Sequence, residues 1–71
     1  MRTANSSDLA ALTLLEREAF PDPWSAGQIA GQLASPRSFT LLAAARSGET
    51  AAYATFQLVA DEAELLRICV L

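Results

Sequence analysis

The chain has 71 residues, 52% of them hydrophobic and 18% charged, with a net charge of -3. That length allows at most one small domain, and the apolar fraction argues against intrinsic disorder. The five basic residues are scattered, so the chain lacks the basic patch that nucleic acid or an anionic membrane requires. A single cysteine excludes an internal disulfide, and without histidine a usual zinc site is excluded too. Residues 1–20 lack the charged start, apolar block and cleavage site of a secretory signal. No apolar run approaches the ~20 residues of a membrane span. The expectation is a cytoplasmic protein with no nucleic-acid or membrane partner. So small a domain needs an efficient core, a partner or more chain.

Residues 1–7 are polar, with a brief first strand around Arg2-Thr3-Ala4. Asn5, Ser6, Ser7 and Asp8 all suit a helix N-cap. From Leu9 to Phe20 the pattern is helical. Leu9, Leu12, Leu15 or Glu16, and Ala19 recur near a 3.6 period, while Glu16, Arg17 and Glu18 supply a polar side. Pro21 and Pro23 stop the helix, because a residue before proline is pushed out of the helical region.

Phe20-Pro21-Asp22-Pro23-Trp24-Ser25 is the most distinctive local stretch. Two prolines stiffen a connection that carries two large aromatics. Ser25 and Gln28 then match a capping box, and Trp24 with Ile29 matches a hydrophobic staple. A second helix is predicted over 26–34, ended by Ser35-Pro36.

Phe39 to Ala45 reads as a strand, Ser47-Gly48-Glu49 as a turn, and Ala51 to Val59 as a second strand of an antiparallel hairpin. Ala60-Asp61-Glu62 turns the chain into a final strand. Strict alternation puts Leu66, Ile68 and Val70 on one face with Glu62 and Glu64. It puts Ala63, Leu65, Arg67, Cys69 and Leu71 on the other. A strand apolar on both faces wants cover on both sides. The architecture is α+β: two helices followed by a three-strand antiparallel meander.

Candidate chemistry is sparse. Asp61, Glu62 and Glu64 could supply a general base or an amine contact, but a solvated turn and strand start explains them as well. Cys69 has no histidine to activate it, and burial in an apolar strand makes a thiol inert. Phe20 and Trp24 fit either a peptide groove or a lid over the core. Tyr53 fits a catalytic acid less well than a strand residue packed under a helix. There is no glycine-rich phosphate loop, no metal-ligand spacing and no Ser/His/Asp set.

The order of three stretches resembles the N-terminal half of the GNAT acetyltransferase fold, most closely the bacterial ribosomal-protein alanine N-acetyltransferases. These are the first helix from Asp8-Leu9 through Leu15-Glu16 to Phe20, the Pro23-Trp24-Ser25 opening of the second, and Asp61-Glu62-Ala63-Glu64-Leu65-Leu66-Arg67-Ile68-Cys69-Val70. The last matches the family's Asp-Glu-Ala, variable residue, Leu, then Ile-Ala-Val. The resemblance covers nearly the whole chain. It implies acetyl-CoA as co-substrate, its pantetheine arm lying along Ile68, Cys69 and Val70. It implies a protein N-terminus as substrate beside Phe20, Pro23 and Trp24, with Glu62 near it.

The family's pyrophosphate loop, general base and tyrosine acid lie further along than Leu71. Residues 1–71 are therefore expected to be a partial domain with no catalytic residue of its own and no turnover. Ala51-Ala52 also departs from the Val-Gly of many relatives. Two other readings stay open. One is a non-enzymatic module that pairs with itself or another chain through its last strand. The other is a relative acting on a small-molecule amine.

Overall fold

The computed structural model describes residues 1–71. Its elements are β1 (Arg2–Thr3), α1 (Leu9–Ala19), α2 (Ala26–Ala34), β2 (Ser38–Ala44), β3 (Thr50–Val59) and β4 (Glu62–Val70). The sheet is antiparallel throughout, in the order β1-β2-β3-β4. The predicted meander is present, and the two-residue β1 makes a fourth strand.

Local chemistry accounts for the helix boundaries. Asn5 caps a single 3-10 turn over Ser6–Asp8 through a capping box with Asp8. The Asp8 carboxylate also takes two hydrogen bonds from the Arg2 guanidinium, at 2.9 and 2.6 Å, which ties β1 to the start of α1. Helix α2 has the predicted box: the Gln28 N–H donates to Ser25 Oγ at 3.1 Å, and the Ser25 N–H donates to Gln28 Oε1 at 2.8 Å.

Both helices lie on one face of the sheet. Leu12 and Leu15 of α1, Ile29 of α2, Leu42 of β2, Tyr53 of β3 and Cys69 of β4 form the core between the layers. Ala4, Leu9, Ala19, Phe20, Trp24 and Leu33 pack around its margin. Two buried hydroxyls on this face, Thr40 and Thr55, satisfy each other at 2.9 Å. A buried hydroxyl without a partner costs about 1–3 kcal/mol, so the pairing matters for the sheet centre.

Candidate functional site

Strand β4 does not follow strict alternation. Thr55 of β3 pairs with Arg67 and the next residue, Phe56, pairs with Leu65, so Leu66 has no partner. This is a β-bulge, and one extra residue exchanges the faces of everything on its far side. Leu65, predicted to share a face with Arg67 and Cys69, lies instead with Phe56, Ile68 and Val70 on the face away from the helices. Glu62 and Glu64 pair with Val59 and Gln57, and so take the parity of Arg67 and Cys69. Alternation held from Arg67 to Val70 and failed before it.

The bulge lies beside the edge of the sheet. The Leu71 N–H donates to the Ala51 carbonyl at 3.1 Å, which marks that pair as hydrogen-bonded. Hydrogen-bonded and non-bonded pairs alternate along an antiparallel ladder. Cys69 and Arg67 therefore turn their backbone groups toward β3, while Ile68 and Val70 turn theirs outward along the β4 edge. Ile68 and Val70 are 59% and 65% exposed. They border a shallow apolar groove of about 250 Å³ with Leu41, Ala43, Ala52, Ala54, Phe56 and Met1. Phe39 and Phe56 stack on the same face, ring centroids 5.0 Å apart.

On the helix side, Glu16 is the centre of a polar cluster. Its side chain is fully buried, which resolves its place on the boundary between the apolar stripe and the polar side of α1 in favour of the stripe. Its Oε1 accepts from Arg67 Nε at 2.8 Å, from the second Arg67 nitrogen, and from the Trp24 backbone N–H at 3.0 Å. Its Oε2 accepts from the Tyr53 hydroxyl. Four donors satisfy a carboxylate that burial would otherwise penalise heavily. No buried side-chain nitrogen or oxygen in the molecule lacks a partner.

Arg67 completes the cluster. Its guanidinium lies over the Phe20 ring at 3.9 Å and reaches the Trp24 ring at 5.2 Å, both within cation–π range. It also donates toward the Asp22 carbonyl at 3.5 Å. The stiff connection between α1 and α2 is thus held at Phe20, Asp22 and Trp24 by groups that originate in β4 and α1.

The predicted site residues divide into three places. Phe20 and Trp24 are half-buried on the connection, with Pro23 exposed between them. Ile68, Cys69 and Val70 lie together at the end of β4, but Cys69 is buried against α1, its Sγ 3.8 Å from the Leu15 carbonyl. Burial raises the Cys69 thiol pKa, and the neighbouring Glu16 charge raises it further, against a smaller lowering by Arg67. Glu62 stands apart. It pairs with Val59 at the hairpin end of the strand, roughly 15 Å along β4 from Arg67 at ~3.3 Å per residue. Glu16, Tyr53 and Arg67 form the cluster that sequence reasoning did not assemble. The available signal was a charge inside the apolar stripe of α1 and another inside an aliphatic strand, each needing a buried partner.

Two helices on one face of this antiparallel sheet, in this order, match a partial GNAT fold. Among solved structures, the chain is similar to the ribosomal-protein-S18-alanine N-acetyltransferase from Escherichia coli. The TM-score is 0.76 at 33% sequence identity, over 97% of this chain and 44% of that one. The chain thus spans less than half the length of that enzyme. No family model matches the chain, and no curated protein matches it.

Proposed function

We propose that this chain is the substrate-side portion of an N-terminal protein acetyltransferase, moving acetyl from acetyl-CoA to the α-amine of a ribosomal protein. The observation that carries the reading is the structural likeness to an alanine N-acetyltransferase at 33% identity across 97% of the chain. The outward N–H and C=O groups of Ile68 and Val70 fit an amide-rich arm, which they would bond as they would another strand. Cys69 keeps β4 seated by turning its backbone into the sheet and its side chain under α1. Phe20, Pro23 and Trp24 offer the first residues of a peptide a firm, largely apolar wall.

Acetyl-CoA supplies the acyl group as an activated thioester. In the transfer, a base takes one proton from the ammonium, the amine nitrogen bonds the acetyl carbon, the carbon–sulfur bond breaks, and the departing coenzyme A thiolate takes up the second proton that the nitrogen sheds. None of residues 1–71 is assigned as that base. The rest of the machinery is proposed to lie in the part of the fold that the E. coli enzyme has beyond this likeness.

A chimera tests the reading. The matching portion of the E. coli enzyme is replaced by this chain, and a peptide with a free N-terminal alanine is the acceptor. Mass spectrometry is expected to find one acetyl group on the α-amine, with no transfer by the 71-residue chain alone. A folded chimera without transfer, or measurable turnover by the chain alone, contradicts the proposal.

One observation favours a second reading. Ile68 and Val70 expose apolar side chains beside the outward backbone of an edge strand, a known route to strand-to-strand association. Sedimentation across a concentration series tests whether the chain self-associates through β4.

A further inference from the structure

Three elements far apart in sequence meet at one carboxylate. Glu16 of α1 receives Arg67 from β4, the Tyr53 hydroxyl from β3 and the Trp24 N–H from the connection between the helices. The same guanidinium then covers Phe20 and Trp24. Arg67 directly precedes Ile68, whose backbone faces the open edge of β4. Besides this cluster, the connection is held by Phe20 and Trp24 against the margin of the core. Pro21, Asp22 and Pro23 are exposed, and none of them belongs to the core or to its margin.

We propose that Arg67 is a positioning residue. Acting through Glu16, it registers the α1–α2 connection against β4, so the wall assigned to the peptide and the strand assigned to the acetyl donor keep one relative placement. The naming of those two walls rests on the acetyltransferase reading; the mechanical coupling does not. A planar guanidinium suits the role. It bonds the carboxylate through two nitrogens while its face stacks on the rings, a combination that lysine cannot reproduce.

The chain has one tryptophan, so its emission reports on the connection alone. The test compares acrylamide quenching of Trp24 in the wild-type chain with Arg67→Lys, Arg67→Met and, as a control on an exposed β4 charge, Glu64→Gln. Amide exchange in β2 and β3 establishes that each variant is folded. Arg67→Met is expected to raise quenching about two-fold or more, as the connection loses its cation–π and hydrogen-bond anchors while the central strands stay protected. Arg67→Lys falls between, and Glu64→Gln leaves quenching unchanged.

If Arg67→Met fails to fold, Glu16→Leu with Arg67→Met is the informative variant, because apolar replacement of a whole buried pair is often tolerated. A folded variant of either kind with wild-type quenching overturns the proposal. Failure of the chimera to transfer acetyl, with the quenching contrast intact, removes the acetyltransferase reading and leaves the coupling standing.

Discussion

Arg67 of β4 and Glu16 of α1, 51 residues apart in sequence, meet at 2.8 Å between Nε and Oε1, with Glu16 fully buried and Arg67 part-buried. That contact joins the sheet's edge strand to the first helix, and most of what distinguishes this small fold converges on it. Removing Glu16 leaves the part-buried Arg67 charge without its buried counter-ion. Glu16→Ala is expected to cost about 3 kcal/mol or more, because Arg67 and the Tyr53 hydroxyl both lose their acceptor. Native stability of a domain this size is on the order of 5 kcal/mol, so urea denaturation should find the variant's midpoint lowered by about half or more. Replacing both residues, Glu16→Leu with Arg67→Met, should cost clearly less than the sum of the single changes. Additive losses would show that the pair does not act as a unit.

The start of the fold carries a pH dependence of known sign. The Arg2 guanidinium, followed by the Asn5 N–H, lowers the Asp8 carboxyl pKa from 3.8 to about 2. A carboxyl lowered on folding adds stability that is fully present above its unfolded value and is lost as pH falls through its folded one. Stability should therefore decline from about pH 4 toward pH 2. Asp8→Asn should flatten that limb and leave the curve above pH 5 parallel to wild type, as followed by thermal melts in a pH series.

Cys69 is expected to be silent. Its thiol is buried and its pKa is raised, first by desolvation and then by the Glu16 charge. A maleimide reagent at neutral pH should label the folded chain roughly 100-fold more slowly than the urea-unfolded chain, since reaction needs an opening of the core. Equal rates would mean that β4 is not seated against α1.

Ala60, in the β3–β4 turn, has φ of 55°, in the left-handed region that a Cβ disfavours. Ala60→Gly relieves that conflict and should raise stability by roughly 0.5–1 kcal/mol, seen as a higher urea midpoint at unchanged slope. A lower midpoint would show that the turn is unstrained.

The parts of the fold legible in sequence are those set by neighbours in the chain. Ser25 and Gln28 mark the start of α2 because a capping box needs only residues three apart. Pro21 and Pro23 end α1 by local sterics alone. The faces of β4 were legible only from Arg67 to Val70, because the bulge at Leu66 arises from register against β3 and leaves no mark in β4 itself. Glu16 stayed on the boundary of the α1 stripe for a related reason. One carboxylate on a helix looks solvated until Arg67, Tyr53 and Trp24, each from a different element, are brought to it. The candidate site was legible as two separate stretches, 20–24 and 68–70, and the link between them was not.

The most direct test of the central claim follows amide resonances of the isotope-labelled chain while acetyl-CoA is added. The account predicts weak binding, with the largest shifts at the Ile68 and Val70 amides, which face outward from β4, and smaller ones at Cys69, whose amide faces β3. Shifts confined to other residues, or none at Ile68 and Val70 at millimolar acetyl-CoA, would contradict the assignment of this strand as a wall of the acetyl-donor cleft.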